Sequence, residues 1–207
     1  MPIVTAIKQQ LKRPDRYSIY LDGKYSFSLS SLQLTESELA SGKVLSDEDV
    51  SQYEQTSQVG KAFQAACNLL SYRQRSQAEL TNRLERKGYD EAIINVVLDR
   101  LKQLKLVDDV DFAETWVAQT KSVTRSRRRL EQELRQKGVE PELIKSQVEV
   151  MGEDHDRDAI KTLIERAVNK NAALDRQKLL AKLARQGFSI GLVLRVLDEE
   201  FSELGQL

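Results

Sequence analysis

The segment TRSRRRLEQELRQKG, residues 124–138, concentrates guanidinium groups where a helix is predicted to begin. Ser126 is a good N-cap, Arg125 precedes it, and Arg127, Arg128 and Arg129 form the first turn. Each exposed cation there opposes the helix dipole at a cost of roughly 0.3–1 kcal/mol. Guanidinium groups bind phosphates and carboxylates in bidentate fashion, so the segment predicts contact with a nucleic-acid backbone or an acidic protein surface.

A second basic group lies about fifty residues earlier, where Glu79 and Glu85 dilute its charge. The alternative for both groups is a solvated helix face, which most charge runs are. We favour partner binding for the later group, because no acidic residue lies between Glu114 and Glu131. The predicted binding residues, for protein or DNA phosphate, are Lys121, Arg125, Arg127, Arg128, Arg129, Arg73, Arg75, Arg83, Arg86 and Lys87.

Residues suited to catalysis are scarce. His155 is the only histidine and Cys67 the only cysteine, so neither a Cys/His zinc site nor a histidine-based triad with a spare base is available. A calcium-loop template is matched in part by Asp154, Asp156, Asp158 and Glu165, but Ala159 stands where the template needs glycine. We therefore expect no catalytic residue, no cofactor and no metal, and an exposed linker position for His155.

The overall charge is balanced, with 32 Lys plus Arg against 32 Asp plus Glu, so attraction to a polyanion must come from local clusters. A single cysteine suits a reducing compartment, and no long apolar run appears. We expect a cytoplasmic protein without a membrane segment. Phe112 and Trp116 are four residues apart, which favours core packing over a stacking platform for bases.

The N-terminal segment has the texture of a sheet. Alternating apolar residues in RYSIYLDGKYSFSLS flank an Asp-Gly pair at 22–23 and predict a β-hairpin, to which residues 3–7 can add a third strand. Thr35 and Glu38 form a capping-box pattern that predicts a short helix ending near Gly42.

The remainder of the chain repeats a helical pattern. The spacing L-x3-L-x3-G occurs three times, at Gly88, Gly138 and Gly187, and a good N-cap stands twelve positions before each glycine, at Ser76, Ser126 and Asp175. Each glycine is predicted to end one helix before an antiparallel partner, and a further helix precedes each pair. The unit is therefore three helices.

The predicted fold is mainly α, with three tandem three-helix repeats forming an elongated curved body after a small N-terminal β-hairpin domain. The predicted boundaries are 1–45 for the hairpin extension, 46–109 for the first repeat with a linking helix, 110–152 for the second repeat and 153–207 for the third. The linking helix is expected to run continuously from Ser46 to about Tyr72.

Three strings resemble the RecX family, the bacterial regulators of the RecA recombinase: LLSYRQRSQAELTNRLERKGY, LKQLKLVDDVDFAETWV and EQELRQKGV. The hairpin sequence YSIYLDGKYSFSL is similar to the N-terminal extension of longer members. Two features depart from the family pattern. Lys105 stands where glycine is expected before Asp108, and the run Arg127–Arg129 occupies a place that is often less basic.

The resemblance implies a non-catalytic protein whose partners are RecA and the RecA–DNA filament. Family members are thought to lie along the filament groove and to modulate recombination, ATP turnover and the SOS response, and DNA binding is also attributed to them. We accordingly expect a monomeric regulator of DNA repair and recombination. The alternative is a stand-alone DNA-binding helical repeat module, in which the protein partner is incidental.

Overall fold

The computed structural model describes residues 1–119, 124–152, 154–170 and 175–204. The chain forms two compact units, the first made of Met1–Arg75 and Leu80–Val107 and the second of Ser76–Glu79 and Asp108–Leu207. The described ranges contain a three-stranded sheet followed by ten helices. This confirms the predicted mainly helical class with a small N-terminal sheet.

The sheet is antiparallel in the order β1-β2-β3, with strands at Val4–Gln10, Arg13–Leu21 and Lys24–Ser30. Asp22 and Gly23 connect β2 to β3 with φ values of 48° and 80°. Positive φ at both turn positions is typical of the tight hairpin that an Asp-Gly pair favours. The hairpin and the third strand are therefore confirmed.

Helix α1, Ser31–Ser37, begins five residues before the position that the sequence pattern predicted. Ser30 is its N-cap and forms the capping box with Gln33, so the box proposed at Thr35 is wrong. Gly42 does not end this helix, since its N–H donates to a carbonyl at the start of β1 at 2.8 Å. Residues 42–45 pair with the sheet and so cannot belong to α1, which ends before them.

Helix α2, Asp47–Leu70, is the predicted linking helix and is 24 residues long. Its N-cap is Ser46, which forms a capping box with Asp49. The helix contacts both β3 and α4, so one continuous element joins the sheet to the first repeat. The other helices of that repeat are α3, Gln77–Glu85, and α4, Glu91–Gln103.

The second and third repeats each contain three further helices. Each repeat has its own apolar core, because a short amphipathic helix can bury its apolar side only against its neighbours. The helices are α5 Asp109–Ala118, α6 Arg127–Gln136, α7 Pro141–Val150, α8 His155–Lys170, α9 Arg176–Arg185 and α10 Ile190–Leu204.

The three glycines of the repeat pattern end their helices as predicted. Gly88, Gly138 and Gly187 have φ values of 85°, 72° and 93°. After each glycine, the next residue donates its N–H to the carbonyl of the leucine four positions before that glycine, at 3.2–3.3 Å. This is the bonding pattern of the Schellman cap, which the left-handed residue makes possible.

Lys105 forms the same kind of cap at the end of α4 without being glycine. Its φ is 54°, and the N–H of Leu106 donates to the carbonyl of Leu101 at 2.9 Å. A side chain in this conformation is strained by roughly 1–2 kcal/mol. The family's expected turn is therefore kept despite the lysine.

We predict that Lys105→Gly raises the free energy of unfolding by about 0.5–1 kcal/mol, because relief of the left-handed strain exceeds the entropy that glycine adds to the unfolded chain. Urea denaturation followed by circular dichroism measures the change. Lys102→Gly in the last turn of α4 is the control and should destabilise by about 1 kcal/mol. Equal destabilisation by both substitutions would contradict the strain at Lys105.

Candidate partner-binding surface

The start of α6 is held by a buried serine. The Oγ of Ser126 accepts the N–H of Arg129 at 3.2 Å and donates to the carbonyl of Gln186 at 2.9 Å. A Cβ at Gly187 would lie 2.7 Å from this Oγ. The absence of a side chain at Gly187 therefore allows the end of α9 to approach the cap of α6.

The segment Ser76–Glu79 of the second unit repeats this arrangement. The Oγ of Ser76 accepts the N–H of Glu79 at 3.1 Å and donates to the carbonyl of Lys137. A Cβ at Gly138 would lie 2.2 Å from the Cβ of Ala78. In both places one hydroxyl caps its own helix and bonds to a helix end of the following repeat.

An aspartate completes each arrangement. Asp109 Oδ1 accepts the N–H of Gln77 at 2.9 Å, and Asp156 Oδ1 accepts the N–H of Arg127 at 2.8 Å. We call the two sets inter-repeat locks. The first consists of Ser76, Asp109 and Gly138, and the second of Ser126, Asp156 and Gly187.

Glu133 pairs with two arginines of the predicted cluster. Its carboxylate lies 2.5 Å from Arg125 Nη1 and 3.2 Å from Arg129 Nε, and it accepts the Nε1–H of Trp116 at 3.3 Å. The Glu133 side chain is only 17% exposed. Arg125 and Arg129 therefore have an internal acidic partner, which offsets their unfavourable position at the start of the helix, and their binding of a partner stays a prediction.

The other two arginines differ in their surroundings. Arg127 Nε lies 3.9 Å from the carboxylate of Asp156, while Arg128 is exposed and forms no ion pair with any residue that the structure describes. Among the four arginines at the start of α6, Arg128 is therefore the most available to a partner. Lys121 lies outside the described residues.

The first-repeat basic group lies in the first unit. Arg73 and Arg75 donate to the carbonyls of Gln74 and Leu69 at 2.8 and 3.1 Å. The exposed remainder follows along α3 and the turn after it, at Arg83, Arg86 and Lys87. Binding by any of these residues stays a prediction.

A groove of about 790 Å³ lies beside α6 and α7 in the second unit. Its apolar lining comes from Pro141, Ile144 and Val148. Its charged lining is mixed, with four basic residues, Arg127, Arg128, Arg135 and Lys145, and four acidic residues, Glu131, Glu142, Glu149 and Asp156. Such a surface suits a protein partner of mixed charge better than a polyanion, whose phosphates the four carboxylates would repel.

The aromatic pair belongs to the core of the second repeat. Phe112 is 2% exposed and stacks on Trp116 with ring centroids 5.7 Å apart, while Lys137 Nζ lies 5.1 Å from the indole centroid. Lys137 also pairs with Glu79 at 2.7 Å. Core packing is confirmed for Phe112. Trp116 packs partly buried against the same core and donates its Nε1–H to the Glu133 carboxylate.

The remaining candidates have structural surroundings. Burial raises the pKa of the Cys67 thiol, which disfavours a reactive thiolate. His155 is half-buried at the start of α8, with Nε2 3.1 Å from the carbonyl of Arg125, so its expected exposed linker position is wrong. Helix α8 runs through Ala159, where the calcium template needs a turn, and the described residues hold no cluster of metal-ligating side chains.

Within the described ranges, no helix is long and apolar enough to cross a membrane.

The chain matches three family domain profiles along its length. These are the Regulatory protein RecX N-terminal domain over residues 2–46, the RecX first three-helix domain over 62–101 and the RecX second three-helix domain over 108–146.

Proteins named Regulatory protein RecX are similar over nearly the whole chain. The one from Bacillus subtilis is 33% identical over 205 residues, covering 96% of this chain and 77% of its own length. The one from Listeria monocytogenes serovar 1/2a is 32% identical over 208 residues, with coverages of 97% and 77%.

Two crystal structures share the fold. One of a regulatory protein RecX has a TM-score of 0.72 at 24% identity, covering 96% of this chain and 100% of that one. One of RecX from Lactobacillus salivarius has a TM-score of 0.59 at 22% identity, with coverages of 69% and 96%. The helical repeats and the N-terminal sheet described above are thus an architecture found in solved proteins.

We predict that Gly138→Ala lowers the free energy of unfolding by about 2–4 kcal/mol, since it adds a steric clash with Ala78 to the cost of a left-handed side chain. Gly88→Ala is the matched control, because a Cβ there meets nothing within 4 Å, and should cost only about 1–2 kcal/mol. In urea titrations, Ala78→Gly should recover part of the Gly138→Ala loss. Strict additivity of the two substitutions would refute the lock contact.

We further predict that Glu133→Gln destabilises the protein by about 1–3 kcal/mol, because two arginines and an indole N–H lose a charged acceptor. Glu131→Gln on the same helix is the control. Its pair with Arg135 is 3.8 Å long and exposed, so the change should stay within about 0.5 kcal/mol. Thermal unfolding of both variants tests this, and equal stabilities would exclude a special role for Glu133.

Proposed function

This chain is a member of the RecX family of regulatory proteins, and from that membership we propose that it binds the RecA recombinase and its nucleoprotein filament without catalysing a reaction. It acts in the cytoplasm as a monomer and modulates recombination and the SOS response by docking along the filament. The alternative is a stand-alone DNA-binding module. The groove beside α6 and α7 carries the proposal, because its lining fits a protein surface.

The mixed charge of the groove favours a RecA contact over a phosphate contact. Arg128 and Lys145 offer exposed cations on its rim, and Glu142 and Glu149 offer anions. Ile144 and Val148 provide an apolar floor between them. A protein partner can place side chains of either sign and an apolar residue on such a surface, whereas a nucleic-acid backbone has only phosphates to offer.

The mechanism is steric and electrostatic. Arg128 needs no internal rearrangement before it pairs with an acidic side chain of a RecA subunit, since no described residue forms an ion pair with it. Arg125 and Arg129 pair with Glu133 and are not among the residues that line the groove. When copies of this protein dock at successive positions along the filament, they change the exchange of RecA subunits or the extension of the filament.

We predict that Arg128→Ala raises the concentration of this protein needed for its half-maximal effect on RecA by about tenfold. The physical reason is that the groove loses a cation that has no ion-pair partner among the described residues. RecA ATPase and strand exchange on single-stranded DNA provide the measurement. Arg166→Ala on α8 removes an exposed arginine outside the groove and is the matched control. Wild-type potency for Arg128→Ala would remove the groove from the proposal.

Salt dependence separates RecA contact from a stand-alone DNA module. Binding of this protein to RecA in the absence of DNA should persist and decline only gently as salt rises. If the protein were instead a DNA-binding module, its association with RecA would require DNA. The logarithm of its DNA affinity would then fall linearly with the logarithm of the salt concentration, with a slope near 0.9 per neutralised duplex phosphate, or about 0.7 on single strands. That second pattern would replace the regulator proposal with the DNA-binding alternative.

A further inference from the structure

The first unit contains a separate cavity of about 470 Å³, lined by the sheet, by α2 and by the turn after α3. None of the thirteen described residues that line it is an aspartate or a glutamate. Four are basic, namely Arg13, Arg16, Lys61 and Lys87. The cavity is therefore cationic, unlike the groove of the second unit.

Arg16 is a buried cation without a carboxylate partner among the described residues. It is 5% exposed, and its Nη2 donates to the carbonyl and the Oγ of Ser28 at 2.9 and 3.0 Å. Burial lowers the pKa of Arg16, and Arg13 acts in the same direction, while Asp15 opposes them. A buried charge is costly unless it is paired. An anion bound in the cavity would supply the negatively charged partner that Arg16 lacks among the described residues.

Neighbouring residues hold the Arg16 guanidinium in place. The Oγ of Ser57 on α2 accepts the N–H of Ser28 at 3.2 Å. This bond holds β3 against α2, and β3 carries the Ser28 acceptors of the Arg16 guanidinium. A Cβ at Gly60 would lie 3.7 Å from Arg16 Nη1 and 3.3 Å from Gln33 Nε2. The glycine thus lets α2 approach closely, and the cation is positioned before any ligand arrives.

Aromatic rings accompany the charges. The cavity is also lined by Tyr25, Tyr72 and Tyr89, of which Tyr25 is 50% exposed and Tyr72 is 84% exposed. Exposed tyrosine rings beside cations suit a ligand that has a flat base as well as an anionic group. The volume is in the range that small organic ligands occupy, and exceeds the need of an inorganic phosphate alone.

We propose that this cavity binds a nucleotide, with the phosphate on Arg16 and the lysines and the base against an exposed tyrosine ring. A free nucleotide and one unit of a single-stranded nucleic acid share this chemistry. An acidic peptide would match the charges but would leave the tyrosine rings without a planar partner. The site lies wholly within the first unit and does not depend on the RecA proposal.

The test is calorimetric titration of the full chain with adenosine monophosphate and, separately, with single-stranded oligo(dT). Lys61→Gln/Lys87→Gln should weaken binding of whichever probe binds by at least about tenfold, since two phosphate contacts are lost. Lys24→Gln/Lys102→Gln removes the same charge outside the cavity, and its affinity should stay within about twofold of the wild type. Tyr72→Ala should weaken binding by at least about fivefold.

Each outcome decides the proposal. Monophosphate binding would identify a free-nucleotide site, and binding of oligo(dT) alone would identify a site for a nucleic-acid strand. Binding of neither probe, equal loss in the two lysine pairs, or equally tight binding of oligo-glutamate would overturn it. Arg16→Gln should abolish binding, and its thermal unfolding shows whether the fold survives. The Lys61/Lys87 and Tyr72 variants decide the proposal if the Arg16 variant does not fold.

Discussion

A serine hydroxyl that serves two helices at once is the contact on which the second unit depends. Ser76 and Ser126 each cap their own helix and bond to a carbonyl at a helix end of the following repeat. The hydroxyl can do both because it is one donor and also an acceptor. Close approach then requires glycine at positions 138 and 187, which also supply the left-handed caps.

Two acidic residues, Asp156 of the second lock and Glu133 of α6, explain how α6 tolerates arginines in its first turn. The Asp156 carboxylate accepts the N–H of Arg127 at the positive end of the helix dipole, and the Glu133 carboxylate pairs with both Arg125 and Arg129. Negative charge at a helix N-terminus is stabilising, so the Asp156 carboxylate offsets part of what the arginines cost there. Arg128 is exposed and forms no ion pair with a described residue.

The two candidate surfaces differ in physical character. The groove beside α6 and α7 balances cations with anions around an apolar floor, which gives specificity for a partner of matching pattern. The cavity of the first unit has cations alone, with Arg16 buried and tyrosines at its edge. This difference in charge balance is the reason for proposing different ligands, a protein for the groove and a nucleotide for the cavity.

Local patterns in the sequence determined the repeats, the glycine caps and the Asp-Gly hairpin, because each depends on residues within about a dozen positions. The pair of Arg129 and Glu133 was also readable, as residues four apart share a helix face. The start of α1 is also local, since Ser30 and Gln33 form its capping box, although the pattern at Thr35 predicts a later start. Only tertiary structure decided the approach of Asp156 to α6 and the cavity around Arg16. Those depend on packing between segments distant in sequence, which no local spacing encodes.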